Sequence, residues 1–401
     1  MKGGKSMNAT NTSRDEFMRR TPVRDSCRAR NAALLIGLCG LAVTFQVGAG
    51  KPGGKPGSGG ATAPNPDIVY LSASSNSVNS AEVRGVALSF QDSGAITSAD
   101  SSLFNNATGR SYSSIAWSPD GKRFAWIQNG AILTAAPGAK PVKLYPANAT
   151  DPQPLGNSDT LAWGPDCCNG GDSVLVFLSG LPSFGVQALT IKAGVVDSRE
   201  VLFELKTHCN SADVCTMSTG SAFAFSPKGH LLAFFGYSDD LSPGVWAIPM
   251  GPTPHTPSML LDGAAIGGTG ELGSVMSIDW SPSGSRLALS VTTGPDPNYP
   301  WRDLKIVDVT YEFNGAEEAA STGVVRDTNP GSSFGDASSE HSPQWDPSTS
   351  GDACERLVFS QSSDAGRKMY LMDLVSETGC YTYPRSVSAR NPRALDWRLK
   401  P

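Results

Sequence analysis

The sequence is poor in charge and in the side chains that bind metals. Charged residues make up only 17% of the 401 residues, four histidines are present, and no Cys-x-x-Cys pair occurs. Because zinc sites need closely spaced Cys and His ligands, we predict neither a metal site nor a cofactor. Dense clusters of lysine and arginine are missing beyond residue 50, so we expect no nucleic-acid partner.

Long apolar runs are missing too, apart from one segment near the N-terminus. Residues 1–49 carry eight basic and three acidic residues, with the uncharged segment Ala32–Val43 and small residues at Val47–Ala49 after them. This order predicts a signal peptide cleaved near Ala49. The apolar segment is shorter than the ~20 residues of a spanning helix, and an uncleaved signal anchor is the alternative.

The predicted leader directs the protein out of the cytoplasm, and its removal changes the net charge of the protein. The whole chain has a net charge of −5 and the leader one of +5, so the remainder carries about −10. Residues 50–66, rich in Gly, Lys, Pro and Ser, are predicted to form a flexible linker. We expect a periplasmic or extracellular monomer that is not inserted in the membrane after cleavage, and is membrane-anchored only if the signal is retained.

Six cysteines remain beyond the leader, an even number that suits disulfides in an exported protein. We predict that Cys209 pairs with Cys215 across a small loop. A second disulfide is predicted between Cys354 and Cys380, across neighbouring strands. The adjacent pair Cys167–Cys168 forms either a strained vicinal disulfide or free thiols.

A turn phrase recurs along the chain at long intervals. It consists of an aromatic residue followed by Ser-Pro-x-Gly and a short apolar run. Pro favours the second position of a type I turn and Gly accepts the positive φ that follows, so each copy predicts a tight hairpin. Recurrence every 46–65 residues predicts stacked supersecondary units. The clear copies start at Trp117, Phe225 and Trp280, and the weaker ones at Trp163, Trp345 and Trp397.

Each copy is followed by further apolar runs of strand length, which predicts four antiparallel strands per repeat. Four such strands form the blade of a propeller. Their alternating pattern is clearest in the copy at Trp280. There we expect strand a at Ser277–Trp280, strand b at Arg286–Val291, strand c at Asp303–Val309 and strand d at Gly323–Arg326.

The N-terminal and C-terminal strands complete one blade between them. The last copy supplies only strand a, over Ala394–Leu399, whereas strands without a turn phrase occupy Ile68–Ala73, Glu82–Phe90 and Ile96–Phe104. We therefore predict an all-β, six-bladed β-propeller over residues 67–401, closed by the C-terminal strand joining the N-terminal strands. Closure leaves no open sheet edge within the ring.

The form Ser-Pro-Asp-Gly-Lys that follows Trp117, with a later strand such as Lys368–Leu374, resembles the repeat of TolB-type propellers. The resemblance covers residues 67–401. It implies six WD-like blades and an exported, largely periplasmic protein. The family resemblance also implies non-enzymatic partner binding in the cell envelope. TolB has an extra N-terminal α/β domain, whereas this sequence shows only the linker there.

Contiguous catalytic motifs do not have the setting that they need. Residues 331–335 match the Gly-x-Ser-x-Gly pattern of serine hydrolases, but loop-forming residues lie on both sides. A nucleophile elbow requires a strand before it and a helix after it. The repeated aromatics occupy an equivalent position in every blade, so we expect them to build the core between blades.

Insertions that differ between repeats collect on one face of the predicted propeller. The b–c and d–a connections share that face, and the d–a connections 146–159, 206–221, 262–276 and 327–342 are long. Because unrepeated loops on one face often bind partners, we predict the binding site there. The candidate binding residues are Tyr237, Asp240, Tyr299, Trp301, Arg302, Asp303, Glu340 and His341.

Two classes of function fit this sequence. The first is a non-catalytic propeller in the periplasm or at the cell surface that binds a protein or glycan through the loop-bearing face. The second is a hydrolase or lyase whose site gathers residues from several blades at the central channel. Asp240, Glu340 and His341 are then the acid–base candidates. Such a site leaves no contiguous motif, so both alternatives stay open.

Overall fold

A computed structural model describes the protein from residue 66 onward, with gaps. The predicted signal segment and residues 50–65 of the linker lie outside the described residues and stay predictions. Within the described part, no helix is long and apolar enough to cross a membrane. The described residues are 66–73, 80–91, 96–105, 112–155, 160–167, 170–180, 185–204, 207–209, 215–217, 222–238, 241–251, 257–267, 274–292, 302–309, 311–313, 318–320, 324–327, 339–349, 354–363, 366–375, 385–387, 389 and 392–398.

Nearly all of the described elements are β-strands, as the alternating apolar runs predicted. One short helix, α1 (Gly263–Gly267), is present among them. The strands are β1 (Ile68–Ala73), β2 (Ser80–Phe90), β3 (Ile96–Asn105), β4 (Tyr112–Trp117), β5 (Phe124–Gln128), β6 (Ala131–Ala135), β7 (Val142–Tyr145), β8 (Leu161–Pro165), β9 (Ser173–Ser179), β10 (Gly185–Lys192), β11 (Val195–Glu204), β12 (Thr207–Cys209), β13 (Cys215–Met217), β14 (Phe223–Phe225), β15 (Leu231–Ser238), β16 (Leu241–Pro249), β17 (Ser258–Asp262), β18 (Ser274–Trp280), β19 (Arg286–Thr292), β20 (Arg302–Asp308), β21 (Tyr311–Phe313), β22 (Glu318–Ala320), β23 (Val324–Asp327), β24 (Ser339–Trp345), β25 (Cys354–Ser363), β26 (Gly366–Val375), β27 (Arg385–Val387) and β28 (Pro392–Trp397).

Six four-stranded antiparallel sheets form the blades of a propeller, so the predicted fold is confirmed. Two additional hairpins, β12–β13 and β21–β22, lie in the connections. Written from strand a to strand d, the blades are I (β4-β5-β6-β7), II (β8-β9-β10-β11), III (β14-β15-β16-β17), IV (β18-β19-β20-β23), V (β24-β25-β26-β27) and VI (β28-β1-β2-β3).

Blade VI joins the two ends of the propeller. Strand β28 pairs antiparallel with β1, so that Trp397 lies opposite Ile68 and Asp396 opposite Val69. The predicted closure by the C-terminal strand is therefore correct. The four strands predicted in blade IV are also correct to within three residues at each end.

The turn phrase adopts the hairpin that its Pro and Gly predict. In blade I the Gly121 amide donates to the Ser118 carbonyl at 2.8 Å, and Gly121 has a φ of 63°. The Ser118 hydroxyl also accepts from the Arg123 amide at 3.0 Å. Blades III and IV repeat this pattern at Ser226 and Ser281. The phrase therefore recurs because it encodes the same a–b turn.

The hydrophobic core lies between neighbouring blades. Buried side chains form six clusters, and each cluster joins one pair of adjacent blades. Trp117, for example, packs with Val69 and Leu71 of blade VI. Because every blade buries both faces of its sheet, its strands read as nearly continuous apolar runs.

The six cysteines beyond the leader are described only in part. The Cys167 Sγ donates to the Met250 carbonyl at 2.9 Å, and both alternatives for the adjacent pair stay predictions because Cys168 lies outside the described residues. The backbones of Cys209 and Cys215 lie directly opposite each other in the β12–β13 register, but the structure does not describe their side chains. Cys354 begins β25, and Cys168 and Cys380 lie outside the described residues. Both disulfides stay predictions.

Candidate functional site

The a–b turns converge around a cavity at one end of the central axis. Its volume is about 250 Å³, and every blade contributes to its wall. The turn phrase and the end of strand a therefore form a shared site. The lining residues are Trp117, Ser118, Pro119, Trp163, Gly164, Pro165, Phe225, Ser226, Pro227, Asp279, Trp280, Pro282, Gln344, Trp345, Pro347, Asp396 and Trp397.

Aromatic rings make up much of the cavity wall. Five of the eight tryptophans line it, together with Phe225. Trp117 and Trp280 belong to clusters between blades, which confirms that these aromatics pack in the core. The sequence analysis did not predict that they also surround a cavity. Trp163 and Phe225 are half-buried and expose the most ring surface.

The close packing of this wall explains why one copy of the phrase has lost its serine. Blade II carries Gly164 where blades I, III and IV carry serine. A Cβ atom added at Gly164 would lie 2.2 Å from the Phe225 ring. The absence of a side chain at Gly164 therefore lets the aromatic of blade III reach the cavity.

The residue immediately before each anchor aromatic divides the ring into two halves. Blades I, II and III carry alanine at this position, whereas blades IV, V and VI carry polar residues. Like residues are therefore consecutive around the ring, and the polar ones also line the cavity, as do Ser118 and Ser226 in the other half. The positions are Ala116, Ala162 and Ala224 in the apolar half of the ring, and Asp279, Gln344 and Asp396 in the polar half.

The two carboxylates link neighbouring blades across the polar half. Asp279 of blade IV accepts a hydrogen bond from the Trp345 amide of blade V at 2.6 Å. Asp396 of blade VI accepts one from the Trp117 amide of blade I. Each carboxylate therefore satisfies an amide of the next blade while its residue also lines the cavity.

The pKa of Asp279 is raised well above its ordinary value. Burial is the main cause, because it disfavours the charged form, and repulsion by Asp396 adds to it. Hydrogen bonds from the Trp345 and Trp280 amides oppose the shift. When protonated, this carboxyl could donate a hydrogen bond to a bound group, whereas ionised Asp279 could only accept one.

Five of the eight residues predicted for the loop-bearing face are described, and they lie at the strand ends away from this cavity. Tyr237 is in β15, Arg302–Asp303 begin β20, and Glu340–His341 lie near the start of β24. We expected Tyr237, Glu340 and His341 in loops, and their positions within strands correct that expectation. Asp303 is half-buried, and side chains of the others are not described. Outside the described residues lie Asp240, Tyr299 and Trp301.

Sequence reasoning missed the polar half of the cavity. Asp279, Gln344 and Asp396 were recognisable only by their common place before the anchor aromatic, in copies that align on the turn phrase. Within the described ranges, no three His, Cys, Asp or Glu side chains are grouped to hold a metal ion. The cavity wall therefore consists of aromatic rings, prolines and polar side chains, with Gly164.

The chain matches no protein-family model and no curated protein. Solved structures do resemble it. TolB from Acinetobacter baumannii is 13% identical, with 82% of this chain and 66% of that protein covered and a TM-score of 0.49. For a putative TolB from Agrobacterium tumefaciens, the identity is 14%, the coverage is 74% and 88%, and the TM-score is 0.44.

An enzyme is also among the similar structures. The periplasmic gluconolactonase of Pseudomonas aeruginosa is 11% identical, with 83% of this chain and 99% of that protein covered and a TM-score of 0.47. At these identities the likeness concerns the fold alone. The structure neighbours thus include TolB proteins, as the turn phrase implied.

Proposed function

We propose that the protein is an exported, non-catalytic β-propeller that binds a protein or glycan partner in the periplasm or at the cell surface. The observation that carries this proposal is the aromatic cavity at the end of the central axis, with its polar half and its apolar half. Export rests on the basic N-terminus and the short apolar segment that follows it.

The chemistry of the cavity defines the group that it would accept. Aromatic faces bind sugar rings and apolar or cationic side chains. Asp279, Gln344 and Asp396 place carboxyl and amide groups on the side of blades IV, V and VI, so a bound group would turn its hydroxyl or ammonium donors toward these blades. A volume of about 250 Å³ suits one sugar ring or one large side chain, rather than a whole chain segment.

The tryptophans of the wall provide a direct binding assay. We expect sugars or lysine- and arginine-containing peptides to change the intrinsic fluorescence of the full chain, because five of the eight tryptophans line the cavity. The double variant Asp279→Asn, Asp396→Asn should weaken that binding about tenfold, the effect of one charge-assisted hydrogen bond. Asp197→Asn, on the exposed part of β11, is the matched control. A panel without any fluorescence change would overturn the cavity as a binding site.

The loop-bearing face predicted from the sequence is a second contact surface in this proposal. Tyr299→Ala and Trp301→Ala should reduce capture of a partner from an envelope extract, with an unchanged melting temperature. Capture at the original level would remove this face from the proposal and leave the cavity as the sole contact surface.

A hydrolase or lyase acting at the central channel is the second candidate. It is favoured by Asp279, whose raised pKa and proximity to another carboxylate are typical of acid–base groups. Glycan or peptide turnover that is lost in both Asp279→Asn and Asp396→Asn would establish it. A broad panel without turnover, together with saturable binding, would favour the non-catalytic function.

A further inference from the structure

One arginine position recurs at the start of strand b. It directly precedes the residue of strand b that pairs with the anchor aromatic of strand a. It is occupied by Arg123 in blade I, Arg286 in blade IV and Arg356 in blade V. Because all three arginines directly precede the residue that pairs with the anchor aromatic, these side chains leave the sheet at equivalent places, and their surroundings can be compared directly.

The arginines of blades IV and V are each paired with two carboxylates. Arg286 lies 3.3 Å from Asp308 of its own blade and 3.0 Å from Glu355 of the next blade. Arg356 lies 2.7 Å from Asp373 and 3.4 Å from a second carboxylate, on the turn of its own blade. Charge-assisted pairs of this kind are stronger than neutral hydrogen bonds. In these blades the position is therefore neutralised within the protein.

Among the described residues, Arg123 has neither a carboxylate opposite it in its own blade nor one from the next blade. Phe124 pairs with Ala135, so Arg123 lies opposite Ala136, where blades IV and V have aspartate. Blade II has Ser173 at the position that Glu355 occupies in blade V, so it offers no carboxylate to Arg123. The Ser173 hydroxyl accepts a hydrogen bond from the Trp163 indole at 2.8 Å. Among the described residues, no carboxylate forms an ion pair with Arg123.

A cavity takes the place of the missing carboxylates. It lies between blades I and II, has a volume of about 270 Å³ and is lined by Arg123, Lys140 and Lys143. Neither lysine forms an ion pair with a described residue. Val142 and Val195 also line this cavity and are 63% and 62% exposed, in contrast to the buried apolar side chains of the blades.

We propose that this cavity binds a carboxylate of an acidic peptide segment from a partner protein. The ligand class follows from blades IV and V, where aspartate and glutamate fill the equivalent space around an arginine. The exposed valines favour a peptide with apolar neighbours over a small inorganic anion, since they give its side chains a surface to cover. This acidic-segment site is separate from the cavity on the central axis.

Fluorescence anisotropy with a labelled peptide tests the proposal on the full chain. The probe is Gly-Val-Glu-Val-Glu-Gly, and its amide twin Gly-Val-Gln-Val-Gln-Gly is the matched ligand. We expect binding of the acidic probe to be at least about tenfold tighter than binding of the twin, and to weaken about tenfold in Arg123→Gln. Equal binding of the two peptides, or unchanged binding in Arg123→Gln, would overturn the proposal.

Arg286→Gln is the control for a general loss of positive charge. It removes an arginine from the equivalent position of blade IV, where Asp308 and Glu355 already pair with it. We expect it to bind the acidic probe as the unsubstituted chain does. In an Arg286→Gln variant whose circular dichroism shows that it is folded, a loss as large as that of Arg123→Gln would show that binding follows net charge, and would contradict a specific site. Displacement of the probe by equimolar inorganic phosphate would refute the preference for a peptide.

A second variant tests the comparison between blades itself. Ala136→Asp places in blade I the carboxylate that Asp308 and Asp373 supply in blades IV and V. We expect this carboxylate to pair with Arg123 and weaken the acidic probe about tenfold, without lowering the melting temperature. Unchanged affinity in a folded Ala136→Asp variant would contradict the assignment of Arg123 as the binding residue. The fluorescence response of the central cavity should be unaffected, which separates the two sites.

Discussion

Blades I to III and blades IV to VI have the same four-stranded sheets, yet they differ in the residue that precedes the anchor aromatic. The first half places alanine before the anchor aromatic, and the second half places aspartate, glutamine and aspartate there. In the second half, two of these side chains accept amide hydrogen bonds from the next blade. In the first half, the blades meet through packing of rings and alanines instead.

This difference shows that a repeat can keep its fold while one position changes the chemistry of the whole ring. The turn phrase is under a conformational constraint, because its proline, glycine and serine form the hairpin. The residue before the aromatic has no such constraint, since alanine and aspartate both fit at the end of strand a. Variation at this place therefore alters the cavity without altering the blades.

The largest effect is expected in the apolar half, at Gly164. Gly164→Ala should destabilise the protein by about 3 kcal/mol, because the new Cβ would lie 2.2 Å from the Phe225 ring. Chemical denaturation monitored by circular dichroism gives the free energy of unfolding. Gly251→Ala is the control, as nothing lies within 4 Å of its added Cβ and its φ is ordinary. Equal stability of the two variants would show that the apolar wall is loosely packed.

The next effect is a pH dependence in the polar half. The raised pKa of Asp279 means that the folded protein binds this proton more tightly than the unfolded chain, whose carboxyl titrates near 3.8. Its contribution to stability is therefore present at low pH and is lost as the pH rises from about 3.8 through the raised value. Asp279→Asn should lack this loss and gain stability relative to the unsubstituted protein over that range. Parallel stability curves for the two proteins would contradict the shift.

A smaller effect separates the charge of Asp279 from its hydrogen bond. Asparagine and alanine both remove the carboxylate, but only asparagine keeps an acceptor for the Trp345 amide. We expect Asp279→Ala to be less stable than Asp279→Asn by about 1.5 kcal/mol at neutral pH, the cost of an unsatisfied amide. Urea unfolding of both variants measures this difference. Equal values would mean that water replaces the lost acceptor.

The smallest effect should be the same in both halves. Ser226 in blade III and Ser281 in blade IV each accept from an amide of the following strand at 3.1 Å. Ser226→Ala and Ser281→Ala should therefore each cost about 1 kcal/mol in the same denaturation experiment. A large inequality between them would show that the two halves differ in their turns as well as in the residue before the aromatic.

Much of the fold could be predicted from the sequence because the turn phrase encodes one hairpin and its spacing counts the blades. The closing strand was predictable for the same reason, since β28 carries an anchor aromatic and β1 to β3 lack one. The cavity was not predictable in this way. Its lining depends on which ends of six strands face one axis, and the aromatics that build the core also border the opening.

The positions of the candidate binding residues were not fully predictable from the local sequence pattern. Tyr237, Glu340 and His341 were assigned to loops because they fall in insertions that differ between repeats, but strand pairing extends through them. Backbone pairing with a neighbouring strand can continue where hydrophobic alternation has stopped. Their role in binding stays a prediction, whereas Asp279 and Asp396 lie in a cavity that the fold itself creates.

The closure of blade VI also orders the events of folding. Its strand a, β28, is synthesised last, while the three strands that it joins are made first. Until β28 pairs with β1, the buried strand Ile68–Ala73 presents an unsatisfied edge, and blades I and V each lack part of a neighbouring surface. A nascent chain can therefore assemble blades but cannot finish the ring before translation reaches residues 392–397. A chain truncated before Pro392 would therefore leave the edge of β1 unpaired.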